Sequence, residues 1–233
     1  MLRVGELIDK YEIVKPIARG GMGIVYEARH KHIKTRVAIK MLLDNLALDP
    51  RVRTRFEQEA YFQAQLKHAN IVVVQDFIVE AGTLGFVMDL VDGPSLEQVM
   101  GVERQGPWPL KDALRVMMPV LDALAYAHAR GVVHRDLKPA NVLMDRSGDE
   151  LGVPKITDFG LAKILATDGG MTKTGAMLGT LPYMSPEQFR GARDVDARAD
   201  VYALGMMLWR LLVGGLPVNA NDMSQCSELY MGR

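Results

Sequence analysis

The sequence predicts an α+β fold in which short strands dominate the N-terminal part and helices dominate the remainder. Apolar strands alternate with turns as far as residue 91, and a glycine-rich turn at 18–23 joins the first two of them. Residues 110–130 form a long helix that is apolar on several faces and is therefore expected to be largely buried. A polar segment at 132–143, with apolar residues on both sides, follows that helix. The length of 233 residues suits one large domain or two small lobes.

The composition is that of an ordinary globular protein, with 48% hydrophobic and 24% charged residues. The 28 Lys and Arg residues balance the 28 Asp and Glu residues, so no overall attraction to nucleic acid or anionic lipid is expected. A single cysteine, Cys226, excludes an internal disulfide and is typical of a reducing cytoplasm. No signal-peptide pattern occurs, and no apolar run reaches the ~18 residues of a membrane span. These features predict a cytoplasmic chain without a membrane segment, although a longer parent could be membrane-anchored.

The polar segment contains an acid, a lysine and an amide close together, at Asp136, Lys138 and Asn141. Its apolar flanks indicate that this cluster is held between buried strands, as in a rigid catalytic loop. A carboxylate can accept a proton from a hydroxyl, an ammonium group can neutralise a phosphate, and an amide oxygen can hold a metal ion. The three side chains together therefore suit chemistry on a phosphate group.

The string His-Arg-Asp-Leu-Lys-Pro-Ala-Asn at 134–141 resembles the catalytic loop of eukaryotic-type protein kinases, H-R-D-L-x-x-x-N. The tripeptide 158–160, Asp-Phe-Gly, closes a predicted strand 22 residues after Asp136 and resembles the metal-binding motif of the same family. The string Arg-Gly-Gly-Met-Gly-Ile-Val-Tyr at 19–26 is most similar to bacterial Ser/Thr kinases.

This resemblance implies a two-lobed protein kinase fold with a small antiparallel β lobe and a larger, mainly helical lobe. The implied parts are the small lobe of five strands and one helix at about 1–88, the hinge at 89–92, the large lobe at 93–217 and an irregular tail at 218–233. The family continues with further helices, so the large lobe is expected to be incomplete at its C-terminus. Residues 204–213 are apolar nearly all round, which predicts burial on every face. Without the further helices they are expected to expose an apolar patch.

The glycine-rich turn can act as a flap whose backbone N–H groups cover phosphates, or it can be a plain hairpin turn. In the kinase pattern G-x-G-x-x-G-x-V, Ala18 stands at the first glycine, whereas Gly20, Gly23 and Val25 fit. The resemblance implies that these four residues bind ATP.

Lys40 ends an apolar strand, where a lysine commonly extends to the surface. The resemblance instead makes Lys40 the ligand of the α- and β-phosphates, with Ala38 beside it against the nucleotide. It also pairs Lys40 with Glu59 on a helix at 53–66. Gln63, one turn after Glu59, stands where the family usually packs an apolar residue against the Phe of the metal motif.

The resemblance implies further ligands of the cofactors, ATP and Mg²⁺, with Mn²⁺ as a substitute. Met88 is the implied gatekeeper, the backbone of Asp89 and Val91 would bond the adenine, and Leu143 would line the nucleotide site. The implied metal ligands are Asp158, for the Mg²⁺ that bridges the phosphates, and Asn141, for the second ion.

Residues 161–182 are rich in Gly and Thr and resemble an activation loop, although an ordinary mobile loop has the same composition. Arg135 is then the natural receptor for a phosphate on Thr172 or Thr174. Both threonines are predicted to be autophosphorylated, in trans within a dimer.

Two features resemble Ser/Thr kinases rather than tyrosine kinases. Lys138 follows Asp136 by two positions, and Thr180 lies in the loop that receives the substrate residue, where it would bond both. The string Ser-Pro-Glu at 185–187 stands where the family often has Ala-Pro-Glu, and Glu187 is expected to lack its usual arginine partner.

The predicted function is transfer of the ATP γ-phosphoryl group to Ser/Thr hydroxyls of protein substrates. The alternative is a truncated, non-catalytic nucleotide-binding or scaffold protein. The prediction depends on the order of the family residues Gly20, Gly23, Lys40, Glu59, Asp136, Asn141, Asp158 and Glu187.

Overall fold

The computed structural model divides the chain into two units, with a boundary between Val91 and Asp92. The first unit comprises Met1–Lys67 and Val72–Val91, and the second comprises His68–Ile71 and Asp92–Arg233. The structure describes residues 2–20, 23–80, 83–148, 150–159, 181–191, 195–218 and 225, without the side chains of 44, 45, 55 and 59.

An antiparallel sheet of six strands, in the order β1-β2-β3-β4-β6-β5, forms the first unit. Alternate residues of β2, β3 and β4 are buried in a core on one face, among them Ile13, Tyr26 and Ile39. The sequence predicts five strands, and the sixth, β1, has only two residues, too few for a periodic pattern. The strands are β1 (Leu7–Ile8), β2 (Tyr11–Arg19), β3 (Gly23–His30), β4 (Arg36–Leu42), β5 (Val74–Glu80) and β6 (Thr83–Asp89).

Gly23 begins β3 at a point where two strands approach closely. A Cβ atom at this position would lie 2.3 Å from the carbonyl oxygen of Met41. Only glycine therefore allows this close approach, so Gly23 has a structural reason that does not depend on a ligand.

The first unit has two helices, α1 (Asp44–Ala47) and α2 (Pro50–Ala64). The sequence predicts only the second, from residue 53. It starts earlier because the Asp49 side chain accepts a hydrogen bond from the Arg51 amide at 2.8 Å, and Pro50 occupies the first helical position. The single turn α1 is too short to give a helical period.

Among the described side chains of α2, one buried residue is polar. Phe56, Ala60 and Gln63 are spaced along one helical face and are all buried. Gln63 is 1% exposed, and within the described residues neither its amide nitrogen nor its amide oxygen has a hydrogen-bond partner. Leaving a buried amide unsatisfied costs about 1–3 kcal/mol.

The second unit contains four helices and a two-stranded hairpin among its described residues. Ser95 caps the first helix through a reciprocal capping box with Gln98, and that helix continues as a π-helical turn, Val99–Glu103. The elements are α3 (Leu96–Gln98), α4 (Leu110–His128), β7 (Val142–Asp145), β8 (Val153–Ile156), α5 (Pro186–Phe189) and α6 (Arg198–Val213), with 3₁₀ turns at Pro139–Asn141 and Leu181–Tyr183.

The helix α4 runs without interruption through Pro119, so the local break that a proline can force does not occur. Buried residues on both sides of the proline, from Ala113 to Ala127, keep the helix packed. The chain leaves α4 through Gly131, whose φ of +74° is the left-handed conformation predicted for a helix terminator.

The prediction that residues 204–213 are buried on every face is wrong. Leu204, Met207 and Leu211 are buried, whereas Trp209 and Val213 are 49% and 52% exposed. An apolar sequence does not show which elements will cover a helix. Among the described residues, no helix is both long and apolar enough to cross a membrane.

Replacing Gln63 by Leu should stabilise the protein by about 1–3 kcal/mol, because it removes two unsatisfied polar atoms from an apolar helix face. Urea denaturation measures the change in the free energy of unfolding. The matched control is Gln58→Leu on the exposed side of the same helix, which should change stability little. An unchanged or lower stability of Gln63→Leu would contradict this account.

Candidate active site

The predicted catalytic residues of the second unit form one hydrogen-bonded group. The Lys138 ammonium group donates to both carboxylate oxygens of Asp136, at 3.0 and 2.9 Å. The amide nitrogen of Asn141 donates to the Asp136 backbone carbonyl at 2.8 Å and to its Oδ2 at 3.1 Å. The side-chain nitrogens of Lys138 and Asn141 therefore fix the orientation of the Asp136 carboxylate.

Arg135, directly before Asp136, adopts a left-handed backbone conformation with φ +65°. This conformation costs a non-glycine residue of order 1–3 kcal/mol. Asp200 of α6 offsets that cost, because its carboxylate accepts hydrogen bonds from the backbone amides of His134 and Arg135, both at 2.8 Å. The string Asp-Val-Tyr-Ala-Leu-Gly at 200–205 resembles the central helix of the kinase family, whose Asp braces the backbone of the catalytic loop, so the resemblance predicts this contact.

The Asp200 carboxylate is 1% exposed and has a third donor, the Nε2 atom of His128 on α4, at 2.7 Å. Burial by itself raises the pKa of Asp200. The hydrogen bond from His128 and those from the amides of His134 and Arg135 outweigh burial, so the pKa lies below the usual aspartate range. Asp200 is therefore ionised at neutral pH.

The hairpin of β7 and β8 brings the predicted metal ligands to the same end of the unit. Val142 pairs with Ile156, and the Thr157 amide donates to the Asn141 carbonyl at 3.0 Å. Asp158 is the next residue and is left-handed, with φ +63°. This pairing brings Asn141, which precedes β7, and Asp158, which follows β8, to the same end of the hairpin. A carboxylate and an amide oxygen are both ligand types that Mg²⁺ prefers.

Among the described residues no group of three or more His, Cys, Asp or Glu side chains could hold a metal ion. Asn141 and Asp158 nevertheless fit Mg²⁺, because that ion takes only one or two protein ligands when phosphates supply others. The amide nitrogen of Asn141 is engaged with Asp136. Its amide oxygen is thus the atom that can face a cation.

His134 connects the catalytic loop to the metal motif. Its Nδ1 accepts the Asp136 amide at 3.2 Å, so Nε2 carries the ring proton and donates to the Thr157 carbonyl at 3.0 Å. Its ring also packs against Phe159, with 4.7 Å between the ring centroids. Both side chains are buried.

The 3₁₀ turn Leu181–Tyr183, next to the predicted substrate loop, is tied to α6. Arg210 donates to the Tyr183 hydroxyl at 2.7 Å and to both oxygens of Glu97, at 2.6 and 2.7 Å. Burial raises the pKa of Tyr183 to about 12, against the opposing effect of Arg210. Tyr183 therefore stays protonated in any neutral solution.

In the first unit, strand register brings the predicted nucleotide-binding residues onto one face of the sheet. Ala18 of β2 lies opposite Val25 of β3, which lies opposite Lys40 of β4. Ala38, two residues before Lys40, lies opposite Met88 of β6. Directly opposed residues share a face of an antiparallel sheet, so a nucleotide on this face could contact all five.

Lys40 does not extend into solvent, because it is only 8% exposed. Met88, the implied gatekeeper, is 6% exposed. The amide of Asp89 donates to the carbonyl of Val73 at 3.0 Å. Any bond from Asp89 to adenine would therefore come from its carbonyl group.

The remaining predicted residues are placed only in part. Gly20 directly follows β2, and its amide donates to the Gly23 carbonyl at 2.9 Å. Val91 lies at the end of the first unit, and Leu143 lies in β7, where it forms an isolated bridge with Ser95. The predictions that lie outside the described residues are the Glu59 side chain, Gly160, Thr172, Thr174 and Thr180.

Several residues of this site escape prediction from the sequence. His128 and Arg210 contact partners 72 and 113 positions away, and no sequence pattern indicates such pairs. Gln188 is different, because Ser185 followed three residues later by Gln is a capping-box pattern that the sequence does contain. The pattern indicates a helix start but not its contact with the catalytic loop.

The protein kinase domain model matches residues 11–231 of this chain. The chain therefore belongs to the protein kinase domain family. A serine/threonine-protein kinase named PknB from Mycobacterium tuberculosis is 40% identical over 227 residues, which are 95% of this chain and 35% of that protein. The serine/threonine-protein kinase pkn3 of Myxococcus xanthus is 40% identical over 226 residues, which are 94% of this chain and 40% of that protein.

Solved structures agree with the fold. The PknI kinase domain of Mycobacterium tuberculosis matches with a TM-score of 0.75 and 33% identity, over 96% of this chain and 82% of that chain. The probable serine/threonine-protein kinase PknB of Lactococcus lactis is 38% identical over 95% of this chain but 34% of its own length. The chain thus spans between 34% and 40% of the length of these three curated relatives.

Replacing Asp200 by Asn should lower the free energy of unfolding at pH 7 by about 2 kcal/mol or more, because hydrogen bonds to a charged group contribute about 1.5–3 kcal/mol. The folded pKa of Asp200 lies below the unfolded value of about 3.9. Its contribution is therefore complete above that value and is lost as the pH falls through the folded pKa.

Urea denaturation between pH 7 and pH 3 measures this effect as the gap between the wild-type protein and Asp200→Asn, which should narrow as the pH falls. Asp122→Asn is a matched control, because Asp122 also pairs with a histidine, His68 at 3.2 Å, but is 77% exposed. It should change stability little at any pH. A constant gap for Asp200→Asn would contradict the pKa assignment.

Proposed function

We propose that this chain is an ATP-dependent serine/threonine protein kinase that transfers the γ-phosphoryl group to Ser or Thr hydroxyls of protein substrates. One observation supports this most strongly. The Asp136 carboxylate is oriented by Lys138 and Asn141, and the adjoining hairpin ends at Asp158. A base, a cation and two hard oxygen ligands are the parts that phosphoryl transfer requires.

Each residue then has a distinct role. Asp136 accepts a hydrogen bond from the substrate hydroxyl, orients its oxygen towards phosphorus and takes up its proton as the new P–O bond forms, while the bond between the γ-phosphorus and its bridging oxygen breaks and ADP leaves. Lys138, whose ammonium group lies 2.9 Å from the Asp136 carboxylate, neutralises charge on the transferred group. Lys40 binds the α- and β-phosphates from the first unit.

A divalent ion, for which we propose Mg²⁺, would be held by Asp158 and Asn141 together with phosphate oxygens. When bound, it offsets the negative charge of the phosphates. The two protein ligands are neighbours across the β7–β8 pairing, since the Thr157 amide bonds the Asn141 carbonyl. Met88, Asp89, Val91 and Leu143 are proposed to line the adenine site.

Autophosphorylation of Thr172 and Thr174 is proposed on the basis of Arg135. Its NH2 group donates to the Val195 carbonyl at 3.0 Å. Its Nε atom is buried and has no hydrogen-bond partner among the described residues. A buried guanidinium nitrogen without a partner is suited to an anion, and a phosphothreonine would supply one. Transfer in trans between two copies is the proposed route.

The first test is the intact mass of the purified chain after incubation with Mg²⁺ and ATP. The wild-type protein should gain mass in steps of one phosphate. Asp158→Ala should gain none, because it lacks the carboxylate that binds the metal ion. Glu12→Ala, which removes an exposed carboxylate of β2, should behave like the wild-type protein.

Two other outcomes of that test would contradict catalysis. Nucleotide binding without any gain in mass would favour a non-catalytic nucleotide-binding or scaffold protein. No nucleotide binding and no gain in mass would exclude both catalysis and nucleotide binding, and would leave only the scaffold role for this chain.

Peptide mapping of the phosphorylated protein tests the activation-loop assignment, with phosphate expected on Thr172 and Thr174. The double variant Thr172→Val with Thr174→Val should phosphorylate a substrate protein about tenfold more slowly, since a phosphate can form up to three charge-assisted bonds with arginine. An active preparation in which both threonines are unmodified would contradict this proposal.

A further inference from the structure

The short helix α5 begins with a reciprocal contact between two side chains. The amide oxygen of Gln188 accepts hydrogen bonds from the backbone amide of Ser185 at 3.0 Å and from its hydroxyl at 3.1 Å. Ser185 is fully buried. This contact stabilises the start of α5, as a capping box does in many helices.

The other end of the same side chain reaches the catalytic loop. The amide nitrogen of Gln188 donates to the backbone carbonyl of Arg135 at 2.7 Å, across 53 positions of sequence. A glutamate could accept the bonds from Ser185, but it could not donate to Arg135. Only an amide side chain of this length can make both contacts.

The bond from Gln188 completes the fixation of one peptide group. In the group between Arg135 and Asp136, the carbonyl accepts from Gln188 and the N–H donates to Nδ1 of His134 at 3.2 Å. The preceding peptide group is fixed by Asp200, which accepts the Arg135 amide. The left-handed Arg135 is thus held on both sides, and the backbone of Asp136 has one orientation.

We propose that Gln188 is a positioning residue for phosphoryl transfer, which couples the helix after the substrate loop to the catalytic Asp136. The inference rests on the proposed kinase function. Formation of α5 supplies the donor that fixes the Arg135–Asp136 peptide group, so the base reaches its working orientation when this helix is formed. A displacement of about 1 Å at a reacting group can cost about 100-fold in rate.

The test compares Gln188→Glu with two other variants, using steady-state phosphorylation of dephosphorylated casein. Gln188→Glu keeps the size and the acceptor for Ser185 but turns the donor into a second carboxylate oxygen. Ser185→Ala removes the hydroxyl contact and leaves the bond to Arg135. Gln105→Glu is the matched control, because the Gln105 amide donates to the Gly101 carbonyl at 2.8 Å on an exposed surface.

Gln188→Glu should lower kcat about tenfold or more. Its KM for ATP should stay within about twofold, and its melting temperature should be close to that of Ser185→Ala. Ser185→Ala and Gln105→Glu should keep kcat within about threefold. If Gln188→Glu loses no more activity than Gln105→Glu, or if kcat and melting temperature fall together in both α5 variants, the positioning role is overturned.

Native-state trypsin digestion provides a second readout that needs no activity. Trypsin cleaves the Arg135–Asp136 bond, whose carbonyl is the group that Gln188 contacts, and cleavage requires local opening. Gln188→Glu should speed cleavage at this bond about threefold or more, relative to Gln105→Glu. If the wild-type protein transfers no phosphoryl group, that result contradicts the proposed kinase function but not the contact between Gln188 and Arg135. If Gln188→Glu is cleaved at the same rate as Gln105→Glu, the proposed role of the contact between Gln188 and Arg135 is overturned, whether or not the chain transfers phosphate.

Discussion

The second unit depends on the buried carboxylate of Asp200. A buried charge is costly unless hydrogen bonds satisfy it, and Asp200 accepts from the His128 ring and from the amides of His134 and Arg135. Its donors belong to α4 and to the catalytic loop, whereas Asp200 itself belongs to α6. One side chain therefore joins two helices to the loop, and the loop cannot move without leaving this charge unsatisfied.

Two residues of the site, Arg135 and Asp158, have a left-handed backbone conformation. Such residues cost of order 1–3 kcal/mol each and persist where the surroundings hold them. At Arg135 the charge-assisted bonds to Asp200 are strong enough to offset that cost. The fixed backbone then carries Asp136, whose carboxylate is oriented by Lys138 and Asn141. The polar groups are thus organised without a bound substrate, which is what the proposed phosphoryl transfer requires.

Sequence predicts best those parts of the site whose contacts are local. Asp136, Lys138 and Asn141 contact one another because they lie within one short loop, and the hairpin that carries Asp158 follows from two short apolar runs. The rest depends on polar contacts between distant positions, which leave no periodic pattern. These are His128 with Asp200, Gln188 with Arg135, and Arg210 with Glu97. The prediction that residues 204–213 are buried on every face was wrong for a related reason, because the elements that pack over a helix lie elsewhere in the sequence.

Amide hydrogen exchange at His134 and Arg135 tests the central role of Asp200 most directly. The account predicts slow exchange at both amides in the wild-type protein and exchange at least about tenfold faster in Asp200→Asn, because a change of 1.4 kcal/mol in opening is tenfold in rate. Amides within β7 should be affected less. Equal exchange at His134 and Arg135 in the two proteins would contradict the claim that this carboxylate holds the catalytic loop.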